Sequence, residues 1–196
     1  MKDWRNVAIP ERMKALPRDR RGFPVPHIVL RDAQGVPRFQ INNDTVVEAC
    51  IAGGLCTICG QSMPADDQWL VGGPLSAFHP QGMYIDAPTH YDCLHYALQV
   101  CPYLAVSKYM RRLDPRTVNP QDLPEHVLFA DPTQSDERVP FFVAVQVRGY
   151  TVLRPRLGQR YLRPLRPYVD VQYWNDGQRL TQAYALKLLR DHEVFH

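Results

Sequence analysis

The chain has 196 residues, 45% of them hydrophobic and 22% charged, with a formal net charge of +3. That composition excludes a disordered chain and leaves room for one domain or two small ones. No run approaches the roughly 18 consecutive apolar residues of a membrane span, and Glu11, Arg12, Arg18, Arg20 and Arg21 follow the N-terminus too closely for a signal peptide. A cytoplasmic protein is therefore expected, in which five cysteines read as metal ligands and buried thiols and not as disulfides.

Eighteen prolines favour extended and turn-like segments over long helices. In chain order, Ile9 to Leu16 reads as a short helix bracketed by Pro10 and Pro17. His27 to Leu30 and Val36 to Ile41 read as a hairpin turning at Asp32-Ala33-Gln34-Gly35, with Pro37 marking an edge strand. Asn43 or Asp44 caps a helix through Val46, Val47, Cys50 and Ile51, which Gly53-Gly54 ends. Gln68 to Val71 is a strand stopped by Gly72-Gly73-Pro74, and Ser76 to Pro88 is a loop or an irregular strand. From Thr89 the pattern turns helical, with Cys93, Ala97 and Cys101 recurring every four residues beside Leu94 and Leu98.

Residues 114–140 are rich in proline and acidic side chains and read as a linker or long loop. Phe141 to Val147, Tyr150 to Leu153 and Tyr168 to Trp174 read as strands. Asn175-Asp176-Gly177 is a turn, and Thr181 caps a final helix through Ala185, Leu188 and Leu189. The expected class is α+β, with a zinc-stabilised module over 1–113, the connection over 114–140, and a β-rich part with a closing helix over 141–196. One continuous domain remains open.

Cys56-Thr57-Ile58-Cys59-Gly60 is a knuckle: two thiolates three residues apart face one ion because the chain turns sharply between them, and Gly60 permits the turn. His90-Tyr91-Asp92-Cys93 offers a second pair, since three residues of helix span about 300° and about 4.5 Å; Thr89 is the expected cap. Cys56, Cys59, His90 and Cys93 are thus the expected ligands of a structural Zn²⁺. Their order (knuckle, β segment, helix bearing the second pair) resembles the treble-clef zinc module. Cys101 lies about 12 Å along the helix from Cys93, too far to share the ion. Cys50 is expected to pack as a small hydrophobe, and His95 to point to another face.

Catalytic readings are weaker. No nucleobase-deaminase pairing of H-x-E with P-C-x-x-C is present. His192-Glu193-Val194-Phe195-His196 matches the metalloprotease spacing but sits at the chain end. An HNH-like metal-dependent nuclease is the alternative, with His79 and Asp86 between the two ligand pairs as its acting residues. No phosphate-binding glycine loop, serine elbow or dinucleotide fingerprint appears.

Between Arg138 and Tyr168 there is no acidic residue, while Arg148, Arg154, Arg156, Arg160, Arg163 and Arg166 accumulate beside Tyr150 and Tyr161. Arginine forks and tyrosine faces suit phosphates and bases, so this segment is the expected surface for a nucleic-acid or protein partner. Against this stands a solvated sheet face balanced by the acids at 122–137.

Finally, Arg21-Gly22-Phe23-Pro24-Val25-Pro26, Cys56-x-x-Cys59-Gly60, Gly73-Pro74, Ala87-Pro88-Thr89-His90-x-x-Cys93 and Cys101-Pro102-Tyr103-Leu104 together resemble a group of small uncharacterised proteins from bacteria and their phages. The likeness covers residues 9–105, with an echo at 174–181. It implies a bacterial or phage origin and a zinc site, and it lends no catalytic residue. The function expected is that of a non-enzymatic, zinc-stabilised binding protein.

Overall fold

The computed structural model describes residues 3–105, 139–154 and 159–191. All but the last two residues of the 114–140 connection, Arg156, and the 192–196 string lie outside them. Among the described residues no helix is long and apolar enough to cross a membrane.

The chain is mixed α+β. After a 3-10 turn at Trp4–Asn6, the helix expected over 9–16 is replaced by a second single 3-10 turn, Glu11–Met13. The few residues between Pro10 and Pro17 cannot offset the cost of helix nucleation, and the turn's role is to bury Met13. The hairpin forms as expected, from β1 (Val29–Arg31) and β2 (Pro37–Asn42), paired antiparallel. The Asp32 carboxylate accepts from Gln34 N and Val36 N across its turn. Helix α1 (Asp44–Gly53) starts where the Asn43 side chain accepts from Val46 N, and it ends at left-handed Gly54.

Strand β3 (Trp69–Gly72) precedes helix α2 (Pro74–Phe78), which replaces the loop expected from Ser76 onward. Pro74 takes the first helical position, where its missing N–H costs nothing. Helix α3 (Tyr91–Val100) is followed by the short α4 (Pro102–Ala105). The C-terminal part supplies β4 (Phe142–Gln146), β5 (Tyr150–Leu153), β6 (Tyr161–Pro164), β7 (Asp170–Asn175), β8 (Gln178–Leu180) and α5 (Gln182–Asp191). Strands β6 and β8 were not legible; β6 emerges from the arginine-rich run, and β8 is only three residues long.

Strands β3, β4, β7 and β8 form one antiparallel sheet in that order. Trp69 to Gly72 pairs with Gln146 back to Val143, so the N-terminal and C-terminal parts share a sheet. Strand β4 is covered on both faces. Phe142 and Ala144 meet Leu94 and Leu98 of α3, with Trp69 and Trp174. Phe141, Val143, Val145 and Val147 meet Val47 and Cys50 of α1, Ala77 of α2, Leu162 of β6 and Ala185 of α5. A separate cluster gathers Met13, Phe23, Ile58, Met63, Tyr96 and Val100 around Cys56, Cys59 and Cys93.

Candidate metal centre

Main-chain bonds assemble the knuckle before any ion is considered. Gly60 N donates to Cys56 O at 2.8 Å, Cys56 N to Gln61 O at 2.8 Å, and Leu55 bridges Ser62. Gly60 has φ +74°, and a Cβ there would stand 2.9 Å from the His27 ring, so glycine is required on both counts. The segment bearing the second pair is pinned from two sides. Trp69 and Thr89 exchange both backbone bonds, at 3.0 and 2.9 Å, while Thr57 N donates to Pro88 O at 3.3 Å.

Helix α3 begins one residue later than expected. His90, in extended conformation, is the cap residue, and Cys93 is the third helical position. Thr89 does not cap: its bridge to Trp69 holds it in place, and its buried hydroxyl has no partner. Asp67 supplies the capping oxygen instead, accepting from Tyr91 N at 2.9 Å.

This scaffold brings Cys56, Cys59, His90 and Cys93 together, with one ligand atom from each all within 4.8 Å of one another. Cys56, Cys93 and His90 are completely buried, and Cys59 is 8% exposed. The His90 ring is oriented by Ser62, whose carbonyl lies 3.1 Å from Nε2, while Nδ1 lies 3.3 Å from Cys59 Sγ. A proton on Nε2, donated to Ser62 O, leaves the Nδ1 lone pair facing the sulfurs. This is the outer-shell arrangement that fixes a ligating histidine's tautomer. Ser62 gave no signal in the sequence because it acts through its backbone carbonyl.

The electrostatics favour a cation. The Cys56 thiol is pulled well below its ordinary value, first by bonds from the Cys59 and Cys93 side chains, then by the backbone N–H groups of Cys59 and His90. Cys59 is pushed up, chiefly by its bond to Cys56, and Cys93 is pushed up by its bonds to both. Without an ion, one sulfur thus ionises at the expense of its two neighbours. A divalent ion removes that restriction, because a coordinating thiol is deprotonated outright. A tetrahedral site with Zn–S bonds of about 2.3 Å needs sulfur–sulfur edges of about 3.8 Å, which the 4.8 Å bound accommodates. The group can hold a metal ion.

The excluded residues behave as expected. Cys50 is 1% exposed within the sheet core, and burial raises its thiol. Cys101 closes α3. His95 turns away, stacking on Tyr91 and meeting Trp174 edge-to-face.

Compared with family models, with curated proteins and with solved structures, the chain has no match. The site is therefore read from its own geometry.

The arginines expected to form a binding surface are placed differently from one another. Arg154 donates to Glu48 at 2.6 Å, and Arg160, with a side chain only 12% exposed, reaches Glu48 at 3.0 Å and Asp44 at 3.8 Å. These bonds tie β5 and β6 to α1. Arg166 donates to Ala77 O and His79 O and lies over Tyr168, and Arg148 donates to Pro167 O. Tyr161 is buried, while Arg163 is exposed. His79 and Asp86 join no group of three metal-capable side chains among the described residues. His79 accepts from Gln81 N, and Asp86 from the Asn42 amide.

Proposed function

We propose that the protein is a non-enzymatic binding module whose scaffold is closed by one structural zinc ion in a treble-clef-like site, and whose partner is a protein or a nucleic acid. The observation that carries this reading is the closure of the donor set. Four protein ligands are buried around one point, and structural zinc sites are four-coordinate with no position left for water or substrate. The order of elements supports the treble-clef likeness: a knuckle closed by the Leu55–Ser62 bridge, a β segment, then a ligand pair at the start of a helix. Zinc is favoured because three thiolates and one imidazole form a soft, tetrahedral set.

Elemental analysis of the purified protein tests the metal. One zinc per chain is expected, lost in Cys93→Ser with the fold around it. A metal-free protein with an unchanged melting curve would remove the basis of the proposal. Incubation with plasmid and Mg²⁺ or Mn²⁺ tests the absence of chemistry: intact plasmid is expected, and nicking would transfer the reading to a nuclease.

A further inference from the structure

The charge of this chain is strongly segregated. No lysine or arginine occurs between Arg38 and Lys108, a stretch that carries six carboxylates. Residues 1–42 hold nine cations against four carboxylates, a net +5 where the whole chain has +3. The acidic body consumes arginines from elsewhere: Asp44 and Glu48 take Arg160 and Arg154, and Asp92 takes Arg12 at 3.0 Å. With Arg148 and Arg166 donating to backbone carbonyls, much of the C-terminal arginine set serves the fold itself.

The other N-terminal arginines are bonded only within their own segment and stay exposed: Arg5, Arg21 and Arg38 pair with Asp3, Asp19 and Asp32, and Arg18 and Arg31 donate to the carbonyls of Lys14 and Gly35. Arg18 and Pro24 bridge the base of a tight loop, in which Asp19 N donates to Phe23 O at 3.0 Å and Gly22 N to Asp19 O at 2.8 Å. Its one carboxylate, Asp19, is only 7% exposed and accepts from Arg21 N, from Phe23 N and from the Arg21 guanidinium, at 2.7 Å. Arg18, Arg20 and Arg21 are all exposed. The loop thus holds three exposed guanidinium groups against one carboxylate, which Arg21 pairs, on a backbone already ordered, which lowers the entropy lost on binding.

The positive surface continues past the loop. Arg21 lies over Phe23 at 6.0 Å and over Phe39 of β2 at 5.8 Å. Trp4 meets Phe23 edge-to-face, and Arg5 lies over Trp4 at 5.1 Å. Linked rings therefore support both Arg5 and Arg21, and exposed Arg38, paired with Asp32 at 3.0 Å, precedes Phe39 along β2. Protein interfaces centre on apolar, charge-depleted patches, yet residues 3–42 contain one exposed large hydrophobic side chain, Val36. Planar guanidinium forks in this density match phosphates.

We infer that the face built by the 18–22 loop, Arg5 and the β1–β2 hairpin binds the phosphate backbone of a nucleic acid without reading its sequence. This rests on the reading of the chain as a binding module and names its partner class.

The test is fluorescence anisotropy with labelled mixed-sequence DNA, single-stranded and duplex. Affinity should fall about a hundredfold between about 50 and about 200 mM salt, the dependence of roughly four phosphate contacts. Arg18→Ala with Arg20→Ala should weaken binding at least tenfold and flatten the salt dependence by about two contacts, with metal content and circular dichroism unchanged. Arg31→Ala with Arg38→Ala, on the separate hairpin, should act in the same direction. No binding at low salt overturns the inference, as does salt-independent binding or equal competition by polyglutamate, which would assign an acidic protein partner. Equal binding by both double variants alongside loss in Arg163→Ala also overturns it and returns the surface to the C-terminal segment. Any of these results with zinc still bound fails this inference alone; a metal-free protein fails the reading beneath it.

Discussion

Around β4 the chain closes its core with strands and apolar side chains, whereas around Cys56, Cys59, His90 and Cys93 it closes it with a donor set. On the sheet side, Phe141, Val143 and Val145 are completely buried between α1, α2, β6 and α5, and each ladder bond is held by its neighbours. On the metal side, residues 3–25 form two 3-10 turns and an isolated bridge, wrapped around the sulfurs through Met13 and Phe23. A region without a backbone ladder has fewer bonds of its own, so an ion held by this donor set would carry much of its stability. The sheet's stability would not depend on it.

Metal removal should separate the two regions most sharply. Under a strong chelator, amide exchange is expected to accelerate at Val25, His27, Thr57 and Gly60, while Phe142 to Gln146 keep their protection. Structural zinc contributes about 10–16 kcal/mol in zinc-finger peptides, more than irregular chain can replace. Equal loss of protection in both regions would show one cooperative unit and erase the contrast.

A smaller effect is expected at Asp19, inside the metal-side wrap. Burial raises its carboxyl, but the Arg21 side chain and the backbone N–H groups of Phe23 and Arg21 outweigh that, so its pKa falls below the ordinary 3.8. A carboxyl lowered on folding stabilises the folded state above its unfolded pKa, and that contribution is lost as pH falls through the lower, folded value. Asp19→Asn should therefore cost roughly 1.5–3 kcal/mol at neutral pH and flatten the stability profile below about pH 4. Denaturant melts at several pH values measure both, and an unchanged acid limb would show the loop to be held by backbone alone.

The smallest effect belongs to the ion pairs that dock β5 and β6 on α1. The Arg154 and Glu48 side chains are 53% and 43% exposed, so solvent screens them. Glu48→Gln should cost under about 1 kcal/mol and less in high salt. A double-mutant cycle with Arg154→Ala isolates the pair. A coupling of several kcal/mol would make this contact a determinant of the sheet side.

The elements that the sequence announced are those whose signals are local. Asn43 and Gly54 bound α1 where a capping oxygen and a left-handed glycine belong, and Asp176-Gly177, both at positive φ, turn β7 into β8. The two ligand pairs were legible because coordination imposes spacing on the chain. By contrast, β6 could not be seen: its strand character comes from pairing with β5 and with Tyr84, not from its own arginine- and proline-rich residues. Helix α2 was hidden by Gly73-Pro74, which reads as a stop until its packing against the sheet is known.

Sequence alone therefore determined the α+β class, the identity of the four candidate ligands and the exclusion of Cys50, Cys101 and His95, since these depend on spacing and on residue chemistry. Only the tertiary structure decided that Ser62 orients the His90 ring, that Trp69 and Thr89 bind the ligand segment to the sheet, and which arginines are spent on Glu48 and which face solvent. Charge is written in the sequence, but whether a charge is paired depends on partners more than a hundred residues away, and only the folded chain brings them within reach.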